Sequence, residues 1–236
     1  MKKCCFIILY FGKLPRFFEI FSKTCSYNKE YKWLIFTDDN ENYKIPENIE
    51  IIKCSFGDIV KKIQSKFDFE ISLKEPYKLC DYKPAFGYIF EDYIKDYLFW
   101  GYCDLDTIMG KLNNFLTDKI LNQYDKIFCL GHMELFKNNY NNNRLFMQKC
   151  NDKYLYKEAF TTNEIVVFDE VCKGRLNVND IFIKNNKKIY TADKSLNIQI
   201  FPTKFVRVLF DYENKTFYSE RYKKAIYIWK DGELLR

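Results

Sequence analysis

Leu98-Phe99-Trp100-Gly101-Tyr102-Cys103-Asp104-Leu105-Asp106 is the stretch on which the reading of this chain turns. Six uncharged residues, most of them bulky, read as a strand buried on both faces. Two carboxylates then arrive together at its far end, where open α/β sheets place their ligand crevices. Asp104 and Asp106 stand one residue apart and can converge on a hard divalent cation, for which oxygen donors suit Mg²⁺ or Mn²⁺. Such an ion would neutralise a diphosphate and stabilise it as a leaving group.

Working outward, the pattern repeats in both directions. Cys5 to Tyr10, Trp33 to Phe36 and Ile49 to Ile52 read as three earlier strands. Helical spacing of apolar residues from Arg16 to Cys25 and from Phe56 to Phe67 puts helices between and after them. A loop through Asp81 and Tyr82 leads into a helix started near Pro84 and ending near Lys95. Downstream, Asp125 to Leu130 predicts another strand, ending in Gly131-His132-Met133-Glu134, and the Asn-rich run from Lys137 to Arg144 predicts a surface loop. Ile165 to Phe168 and Ile226 to Trp229 read as strands, and Lys204 to Leu209 is expected to pair with Thr216 to Tyr218. Alternating strands and helices predict a three-layer α/β/α domain with a mainly parallel mixed sheet. No Gly/Ser- or Pro-rich linker divides residues 1–236, so one domain is expected, with a more variable part from about residue 145.

Composition narrows the class. With 47% hydrophobic and 19% aromatic residues over 236 positions, the chain can bury a core, which excludes a disordered protein. A net charge of +6 suits an anionic partner: a nucleotide diphosphate, a nucleic acid or an acidic lipid surface. Nine Cys without a CxxC pair predict free thiols in a reducing, cytoplasmic compartment. The apolar run after Met1-Lys2-Lys3 is too short for a signal peptide and lacks a small-residue cleavage site, so it reads as a strand. No stretch reaches the roughly 20 apolar residues needed to cross a bilayer, which leaves peripheral attachment at the inner face of a membrane.

Asp81-Tyr82-Lys83-Pro84-Ala85-Phe86-Gly87, followed by Phe99 to Asp106, resembles the nucleotide-sugar core of GT-A glycosyltransferases, in particular a bacterial family of capsule- and lipopolysaccharide-type polysaccharide synthesis. Phe11-Gly12-Lys13-Leu14-Pro15 and Phe36-Thr37-Asp38-Asp39 are similar to that family's first two strand ends, and Gly131-His132 to the strand after the acid pair. The likeness covers about residues 5–140. It implies a GT-A fold in which residues 1–144 bind a nucleotide-diphosphate sugar and 145–236 face a saccharide or lipid-linked acceptor. It further implies that Asp106 ligates Mn²⁺ or Mg²⁺, that Asp104 touches the metal or the donor ribose, and that Asp81 and Lys83 help hold the nucleotide. Tyr10, Phe11 and Gly12 would line the base pocket. The residues agree with those roles: an aromatic stacks on a base, Gly admits close backbone approach, and Lys offers charge to phosphate.

Three further side chains are candidates on their own chemistry. His132, the single His of the chain, is a metal ligand, an acceptor-binding group or a structural residue. Asp169 and Glu170 close a predicted strand and could serve as a catalytic base for an inverting transfer, with Glu134 ranked behind them. Two other readings compete. Asp104-Leu105-Asp106-Thr107 superficially matches the nucleophile and general acid of a haloacid-dehalogenase-type phosphatase, although that motif normally lies on a first strand. A nucleic-acid-binding module would draw on the basic charge and on Tyr218, Tyr222, Lys223 and Lys224, but the basic residues are spread among 32 acids and form no stripe. No nucleic-acid partner is therefore expected.

Overall fold

The computed structural model describes residues 2–201, 204–220 and 226–235. The first apolar runs become strands β1 (Lys2–Leu9), β2 (Tyr31–Thr37) and β3 (Ile49–Lys53), and the acid-bearing run becomes β4 (Tyr97–Cys103). These four lie parallel in the order β3-β2-β1-β4. Strands β5 (Lys126–Leu130) and β6 (Met133–Lys137) form a hairpin around Gly131 and His132, and β6 packs antiparallel on β4. A short β7 (Ile189–Tyr190) runs parallel beside β5 and completes a seven-stranded, mostly parallel mixed sheet. The expected α/β class is thus present. The reversal at Gly131-His132 escaped the sequence reading, which ran β5 and β6 together.

A strand buried on both faces needs two cores. Cys5 and Ile7 of β1 join a cluster with Ile59 and Ile63, while Cys4, Phe6 and Ile8 join another with Phe18, Phe21 and Leu121. Helix α1 (Phe18–Cys25) therefore covers one face and α2 (Phe56–Gln64) the other. Ser55 begins α2 by accepting from the Asp58 amide, and the Asp58 carboxylate returns a bond to the Ser55 amide.

The region between α2 and β4 departs from the expected single helix. Pro76–Ala85 forms a 3₁₀ run, followed by two short helices, α3 (Phe86–Ile89) and α4 (Glu91–Ile94), broken at Phe90. Packing on β4 explains the break: a Cβ at Gly87 would lie 2.1 Å from the fully buried Trp100 ring, so the chain approaches closer there than any other residue permits. Beyond α5 (Asp118–Gln123) the Asn-rich run is not a surface loop. It forms α6 (Tyr140–Arg144), with Asn142 and Asn143 buried and the Asn143 side chain accepting from Trp100 Nε1 at 2.8 Å. Asn supplies a polar partner that an indole N–H requires when buried.

Helices α7 (Leu155–Phe160) and α8 (Val178–Lys184) flank the segment from Ile165 to Phe168, which is no strand. Its amides at Val166 and Phe168 turn inward to the carboxylate of Asp81 instead of to a neighbouring strand, and Val167 takes a positive φ of 57°. The expected pairing near the C-terminus is present as a meander of β8 (Asn197–Phe201), β9 (Lys204–Asp211) and β10 (Thr216–Ser219). A final hairpin, β11 (Ile228–Lys230) with β12 (Glu233–Leu235), pins the loop after Asp106. Trp229 Nε1 donates to the Met109 carbonyl at 2.9 Å, and the Lys111 amide donates to the Gly232 carbonyl at 2.7 Å. Among the described residues no helix is long and apolar enough to cross a membrane.

Candidate functional site

Parallel strands β1 and β4 end side by side, and their C-terminal ends open onto a cavity of about 340 Å³. That volume falls in the range of small-molecule sites. Tyr10 and Phe11 leave β1 to form one wall; Tyr77, Lys83, Tyr102 and Asp104 contribute to the rest. A second cavity of about 240 Å³, between α1 and Trp229, is an almost wholly apolar recess without a converging polar cluster, so the chemistry points to the first.

The β1 loop is shaped by the acids that end β2. Asp38 accepts from the Gly12 amide at 2.7 Å and Asp39 from the Leu14 amide at 2.7 Å. The Tyr43 hydroxyl and the amides of Glu41 and Leu14 hold the Asp39 carboxyl down at about 2, so it stays an acceptor at any working pH. Gly12 itself has φ of 97°, open to glycine at no steric cost, and it flanks the cavity without lining it. The expectation for Tyr10 and Phe11 therefore lands on the cavity wall.

Lys83 is the centre of the floor. Its ammonium donates to Asp104 Oδ1 at 3.0 Å and to the Gly131 carbonyl at 2.9 Å, and lies 3.7 Å from Asp169 Oδ2 and 5.0 Å from the centre of the Tyr102 ring. Burial works against this cation, but Asp104 and Asp169 outweigh it and raise its pKa. The two carboxylates sit in unlike surroundings: Asp104 is 42% exposed at the mouth and Asp169 6% exposed behind the lysine. Asp106 follows on the turn, exposed, with no hydrogen bond or ion pair engaging it among the described residues.

Several expected roles move. Asp81 does not reach the cavity: it is fully buried, accepting from Lys78 Nζ at 2.7 Å and from the Val166 and Phe168 amides at 3.0 and 2.8 Å. Its work is to hold the chain together, because both carboxylate oxygens are engaged by groups of the fold. His132 joins no ligand group with the acid pair; its carbonyl accepts from the Asp104 amide at 3.0 Å, which positions the strand end. Asp169 and Glu170, the candidates for a base, line no part of this cavity. Glu170 instead caps the Gly131 amide at 2.8 Å. Glu134 is buried against Lys126 at 2.5 Å, and burial pushes its carboxyl up. The sequence reading missed Tyr77, Tyr102 and the Gly131 carbonyl; aromatic residues beside a strand end and a glycine at a tight reversal carry no signal that separates a site from a core.

Among the described residues no three His, Cys, Asp or Glu side chains form a ready-made metal cage. The donor set available, two carboxylates on one turn, still suits Mg²⁺ or Mn²⁺, which commonly take one or two protein carboxylates and complete the shell with water and substrate phosphates.

Burial is the main reason that the Asp169 carboxyl is pushed up to about 8, with Lys83 opposing and Glu170 and Glu134 adding to the rise. The folded-state value then exceeds the roughly 3.9 of an unfolded Asp, so the stabilisation is complete below about pH 4 and is lost as pH rises through about 8. Asp39, Asp58, Asp92 and Asp211, whose pKa values are lowered, act with opposite sign but are finished by about pH 5. Urea unfolding between pH 5.5 and 8 is expected to show stability falling by on the order of 1 to 3 kcal/mol, and Asp169→Asn is expected to reduce that slope, with Glu134, pushed up to about 7 by burial, carrying the remainder. A wild-type curve that rises over this window would contradict the assignment.

The fold and cavity define an α/β protein with a mostly parallel mixed sheet and an aromatic-walled, largely apolar cavity, carrying Lys83 and Asp104, at the C-terminal ends of its parallel strands. A family described as "Family of unknown function (DUF6625)" matches residues 6–236, and the chain belongs to that family. A search of curated proteins returned no match.

Proposed function

We propose that this protein is a GT-A-type glycosyltransferase that moves a sugar from a nucleoside-diphosphate donor to a saccharide or lipid-linked acceptor in surface polysaccharide synthesis on the cytoplasmic side of a membrane. The observation that carries the reading is the convergence, at the ends of β1 and β4, of an aromatic wall (Tyr10, Phe11) with Lys83 and Asp104; Asp106 follows two residues on, exposed and outside the cavity lining. An aromatic face takes a base, and a lysine beside a carboxylate pair takes a diphosphate with its cation. Asp104 and Asp106 would hold Mg²⁺ or Mn²⁺ together with donor phosphates, and the ion would supply charge stabilisation for the departing diphosphate. The chain's own part is to orient the donor, to keep Lys83 within reach of the diphosphate and to fix the loop after Asp106 through Trp229 and Gly232.

A thermal-shift screen of UDP, GDP and CDP and their sugars, with and without Mn²⁺, tests this. At least one nucleotide is expected to raise Tm in a Mn²⁺-dependent manner, and Asp106→Ala to abolish the metal-dependent part. No stabilisation by any nucleotide would reject the reading.

One observation favours the phosphatase alternative: Lys83 pairs with Asp104 and also lies 3.7 Å from Asp169, so an aspartyl nucleophile would have a lysine beside it and an acid behind that lysine. Against it stands the place of Asp104 on the fourth strand, flanked by the antiparallel β6, and the burial of Asp169 out of the cavity. Hydrolysis of p-nitrophenyl phosphate without nucleotide-dependent stabilisation would reverse the preference. For nucleic acid, Tyr218 is exposed on β10, while Tyr222, Lys223 and Lys224 lie outside the described residues.

A further inference from the structure

An ammonium has three donors, and Lys83 has directed two of them, at Asp104 and at the Gly131 carbonyl. Asp169 lies 0.7 Å farther than Asp104, at 3.7 Å against 3.0 Å, on the closed side of the same cation. One lysine thus stands between the open Asp104 carboxylate and the closed Asp169 carboxyl, held also by the Gly131 carbonyl.

That arrangement conflicts with simple metal binding at the strand end. A divalent cation on Asp104 would stand a few ångströms from an ammonium that is itself mostly buried. It would also have to displace an existing ion pair. A diphosphate changes both conditions, because its negative charge compensates the two cations together.

We propose that Lys83 is a tethered counter-ion that occupies Asp104 in the free protein and releases it when a nucleoside diphosphate and its cation arrive together. The inference rests on the donor-site reading above. Its consequence is that metal and nucleotide bind as a coupled pair: each is weak alone, and each strengthens the other by the same factor. Lys83 acts through Asp104 and is a positioning residue for the cation.

Mn²⁺ binding to the purified protein, followed by loss of the free-ion electron paramagnetic resonance signal, provides a readout independent of turnover. In the wild type, Mn²⁺ alone is expected to bind weakly, and UDP, GDP or CDP, tried in turn, to tighten it at least tenfold. Lys83→Met is expected to bind Mn²⁺ alone at least tenfold tighter than wild type and to lose most of the nucleotide enhancement. Lys83→Arg keeps the charge and is expected to retain the wild-type coupling. Should Lys83→Met not fold, as judged by its melting curve, Lys83→Gln removes the charge while leaving a donor for Gly131. A neutral variant that binds Mn²⁺ no tighter than wild type overturns the counter-ion role. Nucleotide-enhanced binding that still depends on Asp106 would in that case leave the donor site standing. Absence of any Mn²⁺ binding that depends on Asp106 would bring down both.

Discussion

Asp81→Ala is expected to destabilise the protein by on the order of 5 kcal/mol, a loss comparable with the entire stability of many domains. The carboxylate is fully buried and closes three bonds at once: one to the Lys78 ammonium, itself only 3% exposed, and two to the amides of Val166 and Phe168. Alanine leaves a buried cation whose one remaining partner is the Glu164 carbonyl, together with two backbone donors that no strand receives. It also releases Val167, a β-branched residue held at φ of 57°, a conformation that costs about 1 to 3 kcal/mol and persists only where its neighbours over-determine it. Lys78→Met should cost less, because Asp81 would keep both amides. Replacing the pair together, as Lys78→Met with Asp81→Leu, should not restore stability, since the amides stay orphaned. Equilibrium urea unfolding of the three variants checks the order. If Asp81→Ala lies within about 1 kcal/mol of wild type, the carboxylate is not the clasp described.

The same residue shows where sequence reading stops. Asp81 stands two positions from Lys83 in a segment that resembles a nucleotide-binding motif, and nothing local distinguishes the member that clasps the fold from the member that faces the cavity. The distinction is made by residues about 85 positions away, whose amides turn toward it only after the chain has folded. What was legible came from runs with one unambiguous environment. β1, β2 and β4 are buried on both faces and announce themselves by unbroken apolar stretches, which fixed the place of Asp104 at a strand end. The segment Ile165 to Phe168 has the same composition but spends its amides on a side chain, so its likeness to a strand misled. Asn142 and Asn143 misled in the opposite sense, because a polar run reads as exposed unless the indole that needs it is known. Asp169 and Glu170 were singled out as acids beyond a strand, and they do gather near Gly131, but behind Lys83 and outside the cavity lining.

Asp106→Ala is expected to lower kcat/KM by on the order of 100- to 1,000-fold with the nucleotide sugar chosen by the thermal-shift screen, the loss typical of removing one charge-stabilising contact from a transition state. It is the sharpest variant for the site because Asp106 has nothing structural to lose. The side chain is exposed, and among the described residues no hydrogen bond or ion pair engages it, so stability should change by no more than about 0.5 kcal/mol. The loop that carries it is held from elsewhere, by the Thr107 hydroxyl on the Asp104 carbonyl at 2.7 Å, by Thr24 Oγ1 on the Met109 amide at 3.0 Å and by Trp229 on the Met109 carbonyl. Asp104→Ala is less clean, since it takes from the Lys83 ammonium its nearest carboxylate, leaving the Gly131 carbonyl and Asp169, and would mix a folding cost with a catalytic one. The informative pattern is therefore an unchanged melting curve with activity nearly gone in Asp106→Ala, set beside a lowered melting temperature in Asp104→Ala. Full activity in Asp106→Ala would mean that the diphosphate is neutralised without that carboxylate, leaving Lys83 as the charge the donor meets first.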